Sequence, residues 1–182
     1  MPLYARRIDR PALWSNLDEP DAWVDGDFPY SALTELADGR NKGLSCFEIR
    51  SRRDRNLRRV AAALTLAGEG KLSNMEFRLI SPKLISRLKL QSKKTDGKTF
   101  DGQVNAIHVE LTGLNGSSAI KFARGLRNNS IVVSREKIFD EIIFGIKRGY
   151  FDYKKVNKGE VAKAIAERYC VHLSRGVVPG KK

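Results

Sequence analysis

Residues 44–80 constrain the fold more than any other stretch of the chain. They read as a strand ending at Arg50 (LSCFEIR), a basic loop (SRRDRN), a helix from about Leu57 to Ala67, a Gly-flanked turn and a second strand (MEFRLI). Leu57, Val60, Ala61 and Leu64 recur at i, i+3, i+4 and i+7, one face of a helix, with Asp54 or Asn56 available as N-cap. Arg55, Arg58 and Arg59 cannot all share that face, so at least two of them project toward solvent. In MEFRLI, Met75, Phe77 and Leu79 alternate with Glu76 and Arg78, the pattern of a half-buried strand. The unit therefore holds most of the apolar surface of the first half, with an arginine cluster in the joint between strand and helix.

The same alternation continues afterwards. Ser81-Pro82 is an N-cap followed by proline at the first helical position, and Leu84, Ile85 and Leu88 give that short helix an inner face. The stretch 91–103, QSKKTDGKTFDGQ, has two Asp-Gly pairs and little apolar content, which suits a long loop or a boundary between lobes. VNAIHVEL then reads as a strand, TGLNGSS as a turn, residues 119–126 as a helix and SIVVS as another strand. Ser134 caps a strongly apolar helix in which Ile138, Ile142 and Ile146 recur every fourth residue, and Lys147, Arg148 and Gly149 end it. Asn157 and Glu160 make a capping-box-like start for a last helix to about Tyr169.

Before the central unit, Tyr4 to Ile8 reads as a short strand. An acidic, Pro-punctuated stretch follows whose Trp14, Trp23, Phe28 and Tyr30 argue for an ordered segment, and Ser31 can cap a short helix ending near Gly39. The expected fold class is thus mixed α and β, either α+β or α/β, with strands and helices alternating from residue 44 onward. It forms one domain over 1–182 or two small lobes, 1–90 and 103–182, with 91–102 between them.

Charge narrows the partners. Residues 1–39 hold 3 Lys/Arg against 8 Asp/Glu, residues 40–94 hold 15 against 4, and residues 95–182 hold 16 against 9, for a formal net charge of +13. A basic body of this size favours a polyanion, most simply nucleic acid, with an acidic protein partner as the alternative. Self-association through the acidic N-terminal stretch is a further option. No run of about 18 apolar residues is present, so no membrane partner is expected, and the first residues lack the apolar region of a secretory signal. Cys46 and Cys170 fit reduced, buried thiols in a cytoplasmic protein.

Six arginines fall within ten positions: Arg50, Arg52, Arg53, Arg55, Arg58 and Arg59. Guanidinium groups bind phosphates in bidentate fashion, and like charges this close repel unless a polyanion relieves them. The cluster is the leading nucleic-acid-binding candidate. A second basic group, Lys83, Arg87, Lys89, Lys93 and Lys94, could extend it or could be a solvated helix face; of these, Lys89, Lys93 and Lys94 border the loop. No aromatic residues are interleaved with these charges, which argues against a stacking platform for single strands.

The catalytic candidates are His108 and Glu110, two apart on a predicted strand and so on one side of it, set against the plainer reading of a cross-strand polar pair. They support an alternative function as a small nuclease or toxin-type enzyme on nucleic acid or nucleotides, with Arg50 in the site and His172 as a distant third partner. No cofactor and no metal ligand set are expected, Mg²⁺ entering only if the nuclease alternative holds. Asp38, Glu48 and Arg50 form at best a poor imitation of a metal-nuclease pattern. TGLNGSS lacks the ending of a nucleotide-binding P-loop and reads as an ordinary turn. The last two helices permit a weak helix-turn-helix reading.

Overall fold

The strand nearest the start of the chain lies inside the sheet, not at its edge. The computed structural model describes residues 3–8, 43–52, 55–153 and 159–174, the side chains of 116, 117 and 169–174 excepted. Along the chain come β1 (Leu3–Ile8), β2 (Leu44–Ile49), α1 (Arg55–Ala67), β3 (Met75–Ile80), α2 (Pro82–Arg87) and β4 (Gln91–Lys94). They are followed by α3 (Gly102–Ala106), β5 (His108–Thr112), α4 (Gly116–Gly125), β6 (Ser130–Val133), α5 (Arg135–Lys147) and α6 (Gly159–Ser174). The strands form one sheet in the order β4-β5-β2-β1-β3-β6, and every pairing is antiparallel. The class is α+β. Because β2 and β3 both run antiparallel to β1, they run parallel to each other, with α1 as the crossover between them.

Alternation along the strands sorts side chains to two faces, and helices cover both. On the first face Ala5, Phe47, Ile49, Met75, Phe77, Leu79 and Val133 meet Leu57, Val60 and Ala61 of α1, Ile138 and Ile142 of α5, and Val161 and Ile165 of α6. On the second, Ile8, Leu44, Cys46, Ile80, Val109 and Leu111 meet Leu84 of α2 and Phe122 and Ala123 of α4. This two-sided cover explains a departure from the half-buried strand expected for MEFRLI. Ile80 and Arg78, on its second face, are 0% and 3% exposed, and Arg78 is ion-paired to Glu76 at 3.0 Å.

The Ser81 and Ser134 caps follow the sequence, whereas Asn56, one of the two cap candidates for α1, lies inside that helix, which begins at Arg55. Ser81 caps α2 and Ser134 caps α5 by accepting from the backbone N–H three residues on. Gly149 ends the α5 turn at φ +73°, a conformation that costs a residue with a Cβ about 1–2 kcal/mol. Two expectations give way around residues 91–111. Gln91–Lys94 is an edge strand paired with β5, not loop. Residues 102–106 are a helix, not the start of a strand, because the Asp101 side chain accepts from the N–H groups of Gln103 and Val104 and so nucleates a turn. The strand expected over VNAIHVEL therefore begins at His108. The sheet draws β1–β3 from residues 3–80 and β4–β6 from residues 91–133, with β5 beside β2 and β6 beside β3. The readings of Trp14, Trp23, Phe28, Tyr30 and the Ser31 cap, and of Asp54 and Asn157 as caps, lie outside the described residues.

Cys46 is a free thiol wholly enclosed under the second helix layer; the Cys170 side chain lies outside the described residues. Burial pushes the Cys46 thiol up from 9.0 to about 12, against a smaller opposing pull from Arg6. Above pH 9 the unfolded thiol ionises while the folded one keeps its proton. Stability from this group is thus complete below pH 9 and falls by up to about 1.4 kcal/mol per pH unit toward pH 12. Comparing denaturant midpoints with Cys46→Ala on both sides of pH 9 checks it. The alkaline decline should be shallower in the variant.

Candidate nucleic-acid interface

The fold divides the arginine cluster between two jobs. Arg55 and Arg59 are one turn apart on the flank of α1, where the end of the antiparallel helix α5 passes. Arg55 stacks over the Phe144 ring at 4.2 Å and reaches Glu141 at 3.9 Å, yet its side chain stays 63% exposed. Arg59 stacks over Tyr150 at 4.0 Å, and its guanidinium is clamped by Asp101 and Gln103. The Arg59 Nη2–Asp101 Oδ1 hydrogen bond is 2.9 Å, and the two side chains are 13% and 2% exposed. Arg59 therefore joins α1 to the N-cap of α3 and serves the structure first.

The other described members are exposed. Arg58 is exposed, as is Arg50 in the bend past β2. Arg52 is exposed too and donates to Asn129 Oδ1 at 2.7 Å beside β6. Arg53 lies outside the described residues. Of the second basic group, Lys89 is exposed in a tight turn at φ +54°. Lys93 and Lys94 lie on the edge strand β4 opposite Glu110 and Val109, so they face opposite sides of the sheet.

Aromatic rings join the arginines here although none adjoins them in sequence. Arg148 also stacks over Phe144, at 5.5 Å, and the Phe144 and Tyr150 rings are 6.2 Å apart. Tyr150 is 39% and Tyr153 47% exposed. The result is a ledge of alternating guanidinium and ring surfaces at one end of the α1–α5 pair. These ring contacts are made by Arg55 and Arg59 of the first cluster; the lack of interleaved aromatics was noted for the second basic group. The only sequence signal was the aromatic content of GYFDY directly after a helix stop. A cleft of about 120 Å³ lined by Asn56, Arg59, Gln103, Val104 and Ile107 adjoins the ledge. It is far smaller than a usual small-molecule site. The feature is a surface.

His108 and Glu110 do share one sheet face, as their spacing predicts. His108 sits edge-on to Phe47, with ring centroids 5.4 Å apart. Its Nε2 is 2.7 Å from Ser45 Oγ and its Nδ1 2.8 Å from Thr95 Oγ1. Arg50 lies beyond the end of β2, and the side chain of His172 is outside the described residues.

Compared with protein-family models, characterised proteins and solved structures, the chain matches none.

Among the described residues no group of three or more His, Cys, Asp and Glu side chains is arranged to hold a metal ion. Glu48 lies on β2, and Asp38 is outside the described residues. No described helix is long and apolar enough to cross a membrane. The TGLNGSS turn is closed by its own capping box, with Asn115 accepting from the Ser118 N–H and Ser118 accepting in return. That arrangement satisfies the Asn115 and Ser118 N–H groups internally. The last helix continues to Ser174 and buries Val161 and Ile165 in the core shared with Ile138 and Ile142. The apolar stripe of α6 thus faces the core.

Proposed function

We propose that the protein binds single-stranded nucleic acid, with arginines on the phosphates and the Phe144–Tyr150 surface, followed in the chain by exposed Tyr153, against the bases. The ledge of stacked guanidinium groups and rings carries the reading. Single strands are held by cationic grooves combined with aromatic faces, and every base offers a π-face to such a surface. Arg55 and Arg148 supply charge at the ledge, Arg58 adds an exposed cation on the same helix as Arg55, and the net charge of +13 supplies the long-range attraction.

Binding of labelled single-stranded RNA and DNA across a salt series tests it. The wild type should bind tightly at low salt, with affinity falling linearly on a log–log scale. Replacing Arg55, Arg58 and Arg148 by alanine should weaken binding at low salt and flatten the slope by about 2, given roughly 0.7 counterions per phosphate contact. Tyr150→Ala with Tyr153→Ala should lower affinity by about 1–3 kcal/mol per lost stack with the slope unchanged. Absence of binding to either polymer at low salt overturns the proposal and redirects attention to acidic proteins.

A further inference from the structure

We infer that the polar sheet face around His108 and Glu110 cleaves RNA without a metal ion, an activity resting on the binding proposed above. The face is assembled from four neighbouring strands. Lys93 on β4 and Ser45 on β2 flank Glu110 as its register partners. Continuing the β1–β2 register brings Arg7 opposite Ser45, and alternation puts Arg7 on the side of Ala5, the side shared by Phe47 and His108. Arg7, Ser45 and Lys93 are exposed, and His108 and Glu110 are partly so, hence a ligand can reach the row. One band across the sheet thus presents an imidazole, a carboxylate, an ammonium and a guanidinium.

The surroundings of His108 are suited to proton transfer. Both ring nitrogens meet hydroxyls, Ser45 Oγ and Thr95 Oγ1, at 2.7 and 2.8 Å. A hydroxyl donates or accepts by rotating, while the Thr95 carbonyl, 3.4 Å from Nδ1, only accepts and so supports a proton on that nitrogen and leaves Nε2 facing a hydroxyl. The ring also sits edge-on to Phe47. Residues two apart on a strand are about 6.5–7 Å apart at Cα. That separation lets a base and an acid address opposite sides of one phosphorus.

The chemistry that fits is transphosphorylation. Glu110 takes the proton of a ribose 2′-OH, and that oxygen forms a bond to the adjacent phosphorus. The P–O5′ bond breaks as imidazolium His108 protonates the departing oxygen. The products are a 2′,3′-cyclic phosphate and a free 5′-OH. Lys93 and Arg7 stabilise the charge on the non-bridging oxygens in the transition state. No oxidant, reductant or metal enters the balance, and the nucleophile belongs to the substrate. DNA, lacking the 2′-OH, is bound but not cut.

The test incubates a labelled single-stranded RNA with the protein in EDTA, beside the same strand made wholly of deoxynucleotides, whose binding is measured in parallel. The expected result is cleavage to cyclic-phosphate ends, with the deoxy strand bound and intact. His108→Ala and Glu110→Gln should each slow cleavage by about 100-fold or more while binding the deoxy strand as the wild type does. Should His108→Ala fail to fold, Glu110→Gln, which changes one charge at a partly exposed position, decides alone. RNA left intact by a protein that binds the deoxy strand overturns this inference and leaves the binding proposal standing. Failure to bind either strand overturns both. Equal cleavage by wild type and folded variants assigns the activity to a contaminant and overturns the inference.

Discussion

Arg59→Met should lower the stability of the fold by about 3–5 kcal/mol, far more than any other substitution in the arginine cluster. Asp101 is 2% exposed, and removing its guanidinium partner leaves a carboxylate buried without its counter-charge. The N–H groups of Gln103 and Val104 still donate to it, which keeps the loss from being larger. Gln103 loses its contact with Arg59 as well, and Tyr150 loses the cation against its ring. Arg58→Ala, one position away and exposed, should fall within about 0.5 kcal/mol of wild type. For a chain of this size each kcal/mol moves Tm by about 2–4 °C, so a thermal melt separates the two variants. Adding Asp101→Asn to Arg59→Met should recover part of the loss, because no unpaired charge then remains buried. Equal melting of Arg59→Met and Arg58→Ala would mean that Arg59 is an ordinary surface cation.

Phe151→Ala should cost a similar amount, about 3–5 kcal/mol. Phe151 is 2% exposed and belongs to the core of α1, α5 and α6. Its ring packs directly against Gly145, where a Cβ would overlap it. The chain turns at this point through Gly149 and returns along α5, with the Tyr150 N–H donating to the Gly145 carbonyl at 2.8 Å. Phe151 inward and Tyr150 outward are therefore two consequences of one turn. Gly145→Ala should destabilise by about 1–3 kcal/mol through overpacking. In combination with Phe151→Ala the added methyl occupies part of the vacated space, so the double variant should be more stable than the sum of the singles predicts. Chemical denaturation of the four proteins measures the coupling. Strict additivity would show that the two residues do not share the packing described.

Much of the fold was legible before any coordinate. The helix over Leu57–Ala67, the strands LSCFEIR and MEFRLI, the helix start at Ser81-Pro82 and the stop at Gly149 all follow from local chemistry that tertiary contacts reinforce. Residues 91–106 were misread for a physical reason. Gln91–Lys94 is wholly exposed, so it carries no apolar alternation, and only its partner β5 makes it a strand. Val104 and Ile107 looked like strand residues until Asp101 capped a turn over them. Strand direction and order were also invisible, since the same strand–helix–strand string serves a parallel sheet unless β1 enters between β2 and β3.

The candidate site was legible only in part. His108 and Glu110 share a face because strand spacing requires it. The hydroxyls that hold the imidazole, Ser45 and Thr95, are 63 and 13 residues away in sequence, and no local pattern announces them. Arg59 shows the converse. Its place in a run of arginines suggested a ligand-facing role, but its partners, Asp101 and Tyr150, come from distant segments and draw it inward.

The strand order fixes a sequence of assembly. β4 has β5 as its neighbour in the sheet, and β5 is made later in the chain, after α3. During synthesis, β1, β2 and β3 with α1 between them can close a three-stranded unit, while β4 emerges before β5, its partner among the described strands. Its sequence, QSKK, is polar and carries two lysines, which suits a strand that must wait in water without recruiting another chain. The arrival of β5 then completes two ladders at once, one with β2 and one with β4, and in the same step brings Lys93, Glu110 and Ser45 into a single row.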